Sequence, residues 1–134
     1  MSLVALQNSL VDSLETEFPD FTVTKNPIID VAQDELPLII VTVGQQGSNP
    51  ETSSGNDYLF SVHFVVEFWA VLEKNENLIP DLEPLQVKFL SLFTTKSPID
   101  KPLEFELGRS VFALQEDNLG VLSCEIMLFY KRRI

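Results

Sequence analysis

The stretch that decides the fold is YLFSVHFVVEFWAVL, residues 58–72. It has no Gly or Pro, carries a single charge at Glu67, and is rich in aromatic and β-branched residues, which favour a strand over a helix. Alternation gives one face that is wholly apolar: Tyr58, Phe60, Val62, Phe64, Val66, Phe68, Ala70 and Leu72. The other face mixes apolar residues with His63 and Glu67. Since a small monomer usually shows water a polar sheet face, the mixed face predicts contact with a second layer or another copy of the chain.

The length of this strand is also unusual for so small a protein. Strand residues rise by roughly 3.3 Å each, so residues 58–72 span about 50 Å. A compact domain of 134 residues has a radius of gyration of roughly 14 Å. We therefore expect the strand to bend sharply or to run past the body of the domain as an arm.

The elements before the long strand follow from apolar spacing and from Pro and Gly. Leucines at three- and four-residue steps predict a helix over residues 2–17, which Pro19 ends. Residues 21–24 form a short predicted strand, and residues 37–44 form a second, closed by Gly44.

The elements after the long strand are a helix and a hairpin. An apolar stripe at helical spacing predicts a helix over residues 78–95, with its regular part beginning near Asp81 because prolines occupy its start. Residues 103–115 and 120–131 then form a predicted hairpin, with Gly120 available for a positive φ.

This order, α-β-β-β-α-β-β, predicts an α+β fold in a single domain over residues 1–134. We expect an antiparallel sheet of four to five strands of mixed length, with both helices packed on one face. Residues 45–57, QQGSNPETSSGND, contain no apolar side chain. They predict a mobile polar loop, or one that becomes ordered on contact with a partner.

Composition limits the cellular compartments in which we expect the protein. The chain is 45% hydrophobic, with ten Phe, which suffices for a core that needs no disulfide or structural metal. The single cysteine, Cys124, excludes an internal disulfide framework and fits a reducing compartment. The sequence shows neither the pattern of a signal peptide nor an apolar run long enough for a membrane helix, so we expect a soluble protein made inside the cell.

The charge is strongly lopsided, at −11. Such a field repels phosphate and argues against ordinary nucleic-acid binding, although it also suits a channel that DNA must pass without sticking. Plain solubility is the alternative explanation. Three of the nine basic residues are Lys131, Arg132 and Arg133. They form either a solvated terminus or a surface complementary to an acidic region of a neighbouring subunit, a contact that could close a ring.

No residue pattern indicates catalysis, so we expect neither an enzyme nor a cofactor. His63 is the sole histidine, and one His with one Cys cannot supply the three or four ligands of a zinc site. Cys124 lies among apolar residues and is best explained as a small buried side chain. The sequence holds no phosphate-binding or nucleophile-elbow motif.

Several local patterns together resemble one family, the tail-terminator or tail-completion proteins of long-tailed bacteriophages, which act at the head–tail junction. The matching segments begin with a helix ending in Phe18-Pro19 and continue as FTVTKNP, LPLIIVTVG, DYLFSVHFVVEFWAV, LIPDLEPLQVKFLSLF and GVLSCEIMLFYKRR. The resemblance covers most of the chain and lies in layout rather than in a signature motif.

The resemblance implies a structural virion protein without catalytic residues, cofactor, small-molecule ligand or membrane contact. It implies a homo-oligomeric ring, often a hexamer, that caps the tail tube protein and joins it to a head-connector or neck protein. DNA would pass through the lumen without being bound specifically. The protein would assemble in the host cytoplasm and reside in the tail or neck of the virion.

Two hypotheses follow. As a ring component, the chain would use the polar loop, the long strand and the basic tip as interfaces, namely Gln46, Asn49, Glu51, Asp57, Glu67, Trp69, Lys131, Arg132 and Arg133. As a monomeric or dimeric binding module, it would hold an apolar ligand or peptide on an aromatic sheet face, in a pocket lined by Phe60, Phe64, Phe68 and Phe129.

Overall fold

A computed structural model describes residues 3–25, 36–49, 57–95 and 104–133 of the chain. Within them it has two α-helices on a five-stranded sheet, which confirms the α+β fold and the order α-β-β-β-α-β-β. The elements are α1 (Leu3–Glu17), β1 (Thr22–Thr24), β2 (Leu38–Asn49), β3 (Asp57–Val71), a short 3-10 helix (Asn75–Asn77), α2 (Leu78–Thr95), β4 (Glu104–Leu114) and β5 (Leu119–Arg133).

The two longest strands, β3 and β5, lie side by side inside the sheet. The sheet order is β1-β2-β3-β5-β4. β3 pairs with β5 antiparallel along its whole length, from Asp57 opposite Arg133 to Val71 opposite Leu119. The predicted long strand is therefore confirmed, and it is one half of a ribbon of two 15-residue strands.

Both helices cover the apolar face of this sheet. Leu6, Leu10 and Leu14 are buried at one stripe of α1, and the Phe18 N–H donates to the Leu14 carbonyl (2.8 Å) just before Pro19 ends the helix. α1 lies against β1 and β2, and α2 lies against β4 and β5. The predicted helix at 78–95 has the same bounds in the structure, but it is helical from Leu78 rather than from Asp81.

A chain of aromatic rings joins the two helices through β3. Phe18 packs edge-on against Phe68 (5.1 Å between centroids), and Phe68 packs against Phe89 of α2 (5.8 Å). Phe89 then meets Phe93 (5.2 Å), which meets Phe105 of β4 (5.5 Å). Edge-to-face pairs of this kind add about 0.5–1.5 kcal/mol each to the apolar burial. The core is thus continuous from α1 to the far edge of the sheet.

The sheet is mixed rather than purely antiparallel. β1 pairs with β2 in the parallel sense, from Thr22 opposite Leu38 to Thr24 opposite Ile40. A parallel neighbour needs a connection of about a dozen residues or more. β1 ends at Thr24 and β2 begins at Leu38, so the chain between them has that length.

The prediction that Gly44 closes a strand and opens a loop over residues 45–57 is wrong at both ends of that range. β2 continues to Asn49, pairing with β3 as far as Leu59, and β3 already begins at Asp57. Gly44 instead occupies a register shift between Val43 and Gln45. Polar residues can prolong the strand because strand pairing uses backbone N–H and C=O groups, which polar and apolar residues both carry. Residues 50–56 lie outside the described parts of the chain.

The hairpin between β4 and β5 turns between the predicted strands, at residues 115–118, but the expected positive φ is not at Gly120. Positive φ angles occur at Asp117 (59°) and Asn118 (58°), where short polar side chains tolerate them. The Leu119 N–H donates to the Glu116 carbonyl across the turn (3.3 Å). Gly120 lies in β5 and serves a close approach, since a Cβ there would lie 3.1 Å from side-chain atoms of Leu72 and Leu82.

Candidate interaction surface

The sheet face opposite the helices is the candidate functional surface, and we call it the outer face. Its apolar members Val65, Met127 and Phe129 are half-buried, and Val111 is 44% exposed. Neither described helix packs on this side, because the core cluster is built from the other face of the strands. The prediction of two unlike faces on the long strand is confirmed.

A row of charged and polar side chains crosses the middle of the outer face. His63 Nε2 lies 3.7 Å from Glu125 Oε2, with side chains 27% and 31% exposed. Arg109 Nη2, on β4, lies 3.9 Å from the other oxygen of Glu125. Each of three strands contributes one side chain to this row: His63 from β3, Glu125 from β5 and Arg109 from β4.

Two glycine bulges frame this row. Gly44 on β2 faces His63, and a Cβ at position 44 would lie 2.9 Å from His63 Nδ1. Gly108 on β4 faces Glu125, and a Cβ there would lie 2.9 Å from Glu125 Cβ and 3.3 Å from its carbonyl oxygen. Register shifts occur at both places, between Val43 and Gln45 and around Gly108. Such bulges change the direction of side chains and interrupt strand pairing. At the edge of a sheet they also oppose unspecific pairing with strands of other molecules.

Towards the α2 end, the outer face becomes apolar around Trp69. This residue pairs with Leu38 on one side and Val121 on the other, and both of those side chains are buried. The indole Nε1 is buried without a hydrogen-bond acceptor among the described residues. Burial also raises the pKa of Glu67, two residues away. Trp69 and Glu67 thus place two polar groups on an otherwise apolar part of the face.

A cleft lies at the end of β3, where this strand extends two residues beyond its pairing with β2. β2 begins at Leu38, opposite Trp69, so no described strand pairs with Ala70 or Val71 on that side. The resulting cleft has a volume of about 490 Å³. Apolar groups line it except for one carboxylate, and the full set is Phe21, Leu36, Pro37, Ala70, Val71, Asp81 and Leu85.

The interface residues predicted from the sequence separate into two groups. Register places Gln46, Asn49 and Asp57 in the half of the sheet that ends at Lys131, Arg132 and Arg133. In that half Asp57 pairs with Arg133 and Gln46 with Val62.

Glu67 and Trp69 lie at the opposite end of β3, half-buried on the outer face. The two groups are therefore not brought together within one copy. Glu51 lies outside the described residues.

Sequence reasoning missed Gly44, Gly108, Glu125 and Asp81. An isolated glycine inside a strand pattern is a known signal for a bulge, and it was present at both positions. Nothing local distinguishes Glu125 or Asp81 from the other acidic residues, because their importance comes from which strand or cleft lies beside them.

The predicted aromatic pocket is wrong. Phe64 and Phe68 are fully buried in the core, with 0% exposure. Phe129 pairs with Ser61 on the outer face, whereas Phe60 stacks on Tyr130 on the core side (5.7 Å between centroids). A single pocket cannot include residues from both faces of one sheet.

Cys124 is buried, as expected, at 1% exposure. The Ser110 hydroxyl donates to its Sγ (3.7 Å), and burial raises the pKa of the thiol. In the described part of the chain no three His, Cys, Asp or Glu side chains are placed to hold a metal ion together. Neither described helix combines the length and apolar character that crossing a membrane requires.

No model of a known protein family matches the chain, and no curated protein matches it significantly.

Proposed function

We propose that the chain is a structural protein of a bacteriophage tail, a terminator that forms a homo-oligomeric ring, caps the tail tube and joins it to the head connector. The observation that supports this best is the fully paired β3–β5 ribbon with a half-buried apolar outer face. A ribbon of this length offers a large, pre-formed surface for neighbouring subunits, and contiguous apolar surface of this kind marks interaction sites.

The composition of the outer face fits a protein partner better than a small molecule. Val65, Met127 and Phe129 supply apolar area, while the His63–Glu125–Arg109 row supplies polar groups that a partner must match. Interfaces between proteins combine an apolar centre with specific polar contacts in this way. The outer face would pack against a neighbouring subunit of the assembled tail.

The net charge agrees with a ring through which DNA passes. At −11 the chain repels phosphate, and a lumen lined by it would hold DNA weakly or not at all. A ring that is often a hexamer, and a head-connector or neck protein as its partner, are what the resemblance implies.

The test is a capping assay with the tail-tube protein of the same virus. Purified chain is added to growing tubes, more tube protein is supplied, and tube length is measured by negative-stain electron microscopy. We expect growth to stop in the presence of the chain. Continued growth at saturating chain would overturn the proposal.

A matched pair of variants connects capping to the outer face. Val111→Asp places a charge on this face, where Val111 is 44% exposed, whereas Val87→Asp places one on the exposed surface of α2, where Val87 is 60% exposed. We expect capping to be lost in the first variant and retained in the second. Equal capping by both would exclude the outer face.

The second candidate is a binding module for an apolar ligand, and the cleft beside Ala70 and Val71 favours it. Trp69 is the only tryptophan and adjoins this cleft in sequence, so its fluorescence should report occupancy. Titration with an apolar amine such as phenethylamine should change the emission and raise the melting temperature if this function is correct. Unchanged emission and melting temperature at saturating amine would exclude this function.

A further inference from the structure

The cleft and the basic end of β5 lie at opposite ends of the molecule. The cleft is lined by Ala70 and Val71, at the end of β3, whereas Arg133 pairs with Asp57, at its beginning. At roughly 3.3 Å per residue the two ends of this ribbon are about 45 Å apart. The basic end of one copy therefore cannot reach its own cleft.

The two ends also differ in charge. Asp81 is the acidic residue of the cleft lining. The end of α1, the segment after β3, the first turns of α2 and the β4–β5 turn carry seven more acidic residues, namely Glu17, Asp20, Glu73, Glu76, Glu83, Glu116 and Asp117. In the same elements the described cations are Lys74 and Lys88, and Lys88 Nζ lies 4.9 Å from the centre of the Phe18 ring. The opposite end of β5 carries Lys131, Arg132 and Arg133 in succession.

We propose that the basic end of β5, residues 131–133, docks in the cleft beside Asp81 of a second copy of this chain. The contact is head-to-tail: each copy offers one basic end and one cleft. A contact between two different surfaces of the same chain generates rings when it closes. This inference rests on the proposed ring, and it adds a second contact between subunits to the one assigned to the outer face.

The lining of the cleft suits a basic segment. Leu36 and Pro37, which directly precede β2, line the cleft together with Ala70 and Val71 of β3. Apolar groups, including Phe21 and Leu85, receive the aliphatic stems of Lys and Arg, and the Asp81 carboxylate faces their charge.

A charge-swap experiment tests the contact. Asp81→Lys puts a cation in the cleft, and Arg132→Glu with Arg133→Glu makes the basic end acidic. We expect each variant alone to lose self-association about tenfold or more, measured by sedimentation velocity, because like charges then meet. Mixing the two variants should restore it, since each cleft then finds a complementary end. Asp12→Lys, an equal charge change at an exposed position of α1 outside the cleft lining, should leave the mass unchanged.

Disulfide trapping gives an independent readout. Val71, 54% exposed, and Arg133 are both changed to Cys, while the native Cys124 stays protected by burial. Mild oxidation should give a ladder of multimers with the double variant, and neither single variant should give one. A double variant that remains monomeric on a non-reducing gel would overturn the contact.

The outcomes separate this inference from the proposed function. Multimers that persist in both charge variants would overturn the cleft contact and leave the ring in place. Charge rescue by mixing, combined with failure to cap tail tubes, would support the contact and overturn the tail role. A wild-type chain that does not associate, together with a double-cysteine variant that does not cross-link, would overturn the contact.

Discussion

The Nε2 atom of His63 lies 3.7 Å from Oε2 of Glu125 on the outer face of the sheet. Each of these residues faces a glycine in the strand beside it, Gly44 and Gly108 respectively. The two bulges thus make room for a polar pair on an otherwise largely apolar surface. This arrangement gives the outer face a fixed polar centre around which a partner subunit can pack.

The two glycines should differ in their tolerance of a methyl group. Gly108→Ala places a Cβ against Glu125 Cβ and backbone, which cannot rotate away. We expect it to lower the free energy of unfolding by about 1–3 kcal/mol, as over-packing usually does. Gly44→Ala meets the His63 ring, which can rotate, so the loss should be smaller. Urea denaturation compares the two, and an equal loss would show that this account of the bulges is wrong.

The aromatic chain through Phe89 should carry much of the stability of the helix layer. Phe89 is fully buried between Phe68 and Phe93. Phe89→Ala should reduce the free energy of unfolding by about 3–5 kcal/mol. Val87→Ala, at a 60% exposed site on the same helix, should change it by less than about 0.5 kcal/mol. Thermal or urea unfolding of both variants measures the difference, and a small effect at Phe89 would contradict the described core.

Glu67 should make stability depend on pH. Burial raises its pKa, so the folded protein binds this proton more tightly than the unfolded chain. That stabilising contribution is complete below the pKa of the unfolded chain, about 4.3, and is lost as pH rises through the higher folded value. Glu67→Gln should therefore stabilise the protein at neutral pH and have little effect below the ordinary pKa. Urea midpoints across pH test this, and a pH-independent difference would exclude titration of Glu67 as the cause.

Cys124 should resist thiol reagents in the native state. It is 1% exposed, and burial raises the pKa of its thiol, so little reactive thiolate is available. We expect labelling by a disulfide-exchange reagent to be slow and to accelerate in urea. A Cys124→Ala, Val87→Cys variant places the thiol at an exposed site and should react at once. Rapid labelling of native wild-type protein would mean that this part of β5 opens readily.

The sequence was most informative where a pattern repeats. Alternation in β3 predicted which face is buried, and leucine spacing predicted α1 to within one residue of its start. Sequence-based prediction failed at Gln45 to Asn49, where main-chain pairing extends a strand despite its polar composition. It also failed for β1, because the sequence does not reveal whether two distant strands pair in the parallel or the antiparallel sense. Glu125 meets His63 and Arg109 from other strands, and Asp81 meets cleft residues from other elements, so neither position had a local signal.

The measurement that tests the central claim most directly is the mass of the purified chain by light scattering behind a sizing column. It should be made over a tenfold concentration range and at low and high salt. We expect one fixed mass of several subunits at low salt and dissociation at high salt, where the contact between residues 131–133 and Asp81 is screened. A mass of 15.1 kDa at every concentration and salt would contradict the claim that this chain assembles into a ring.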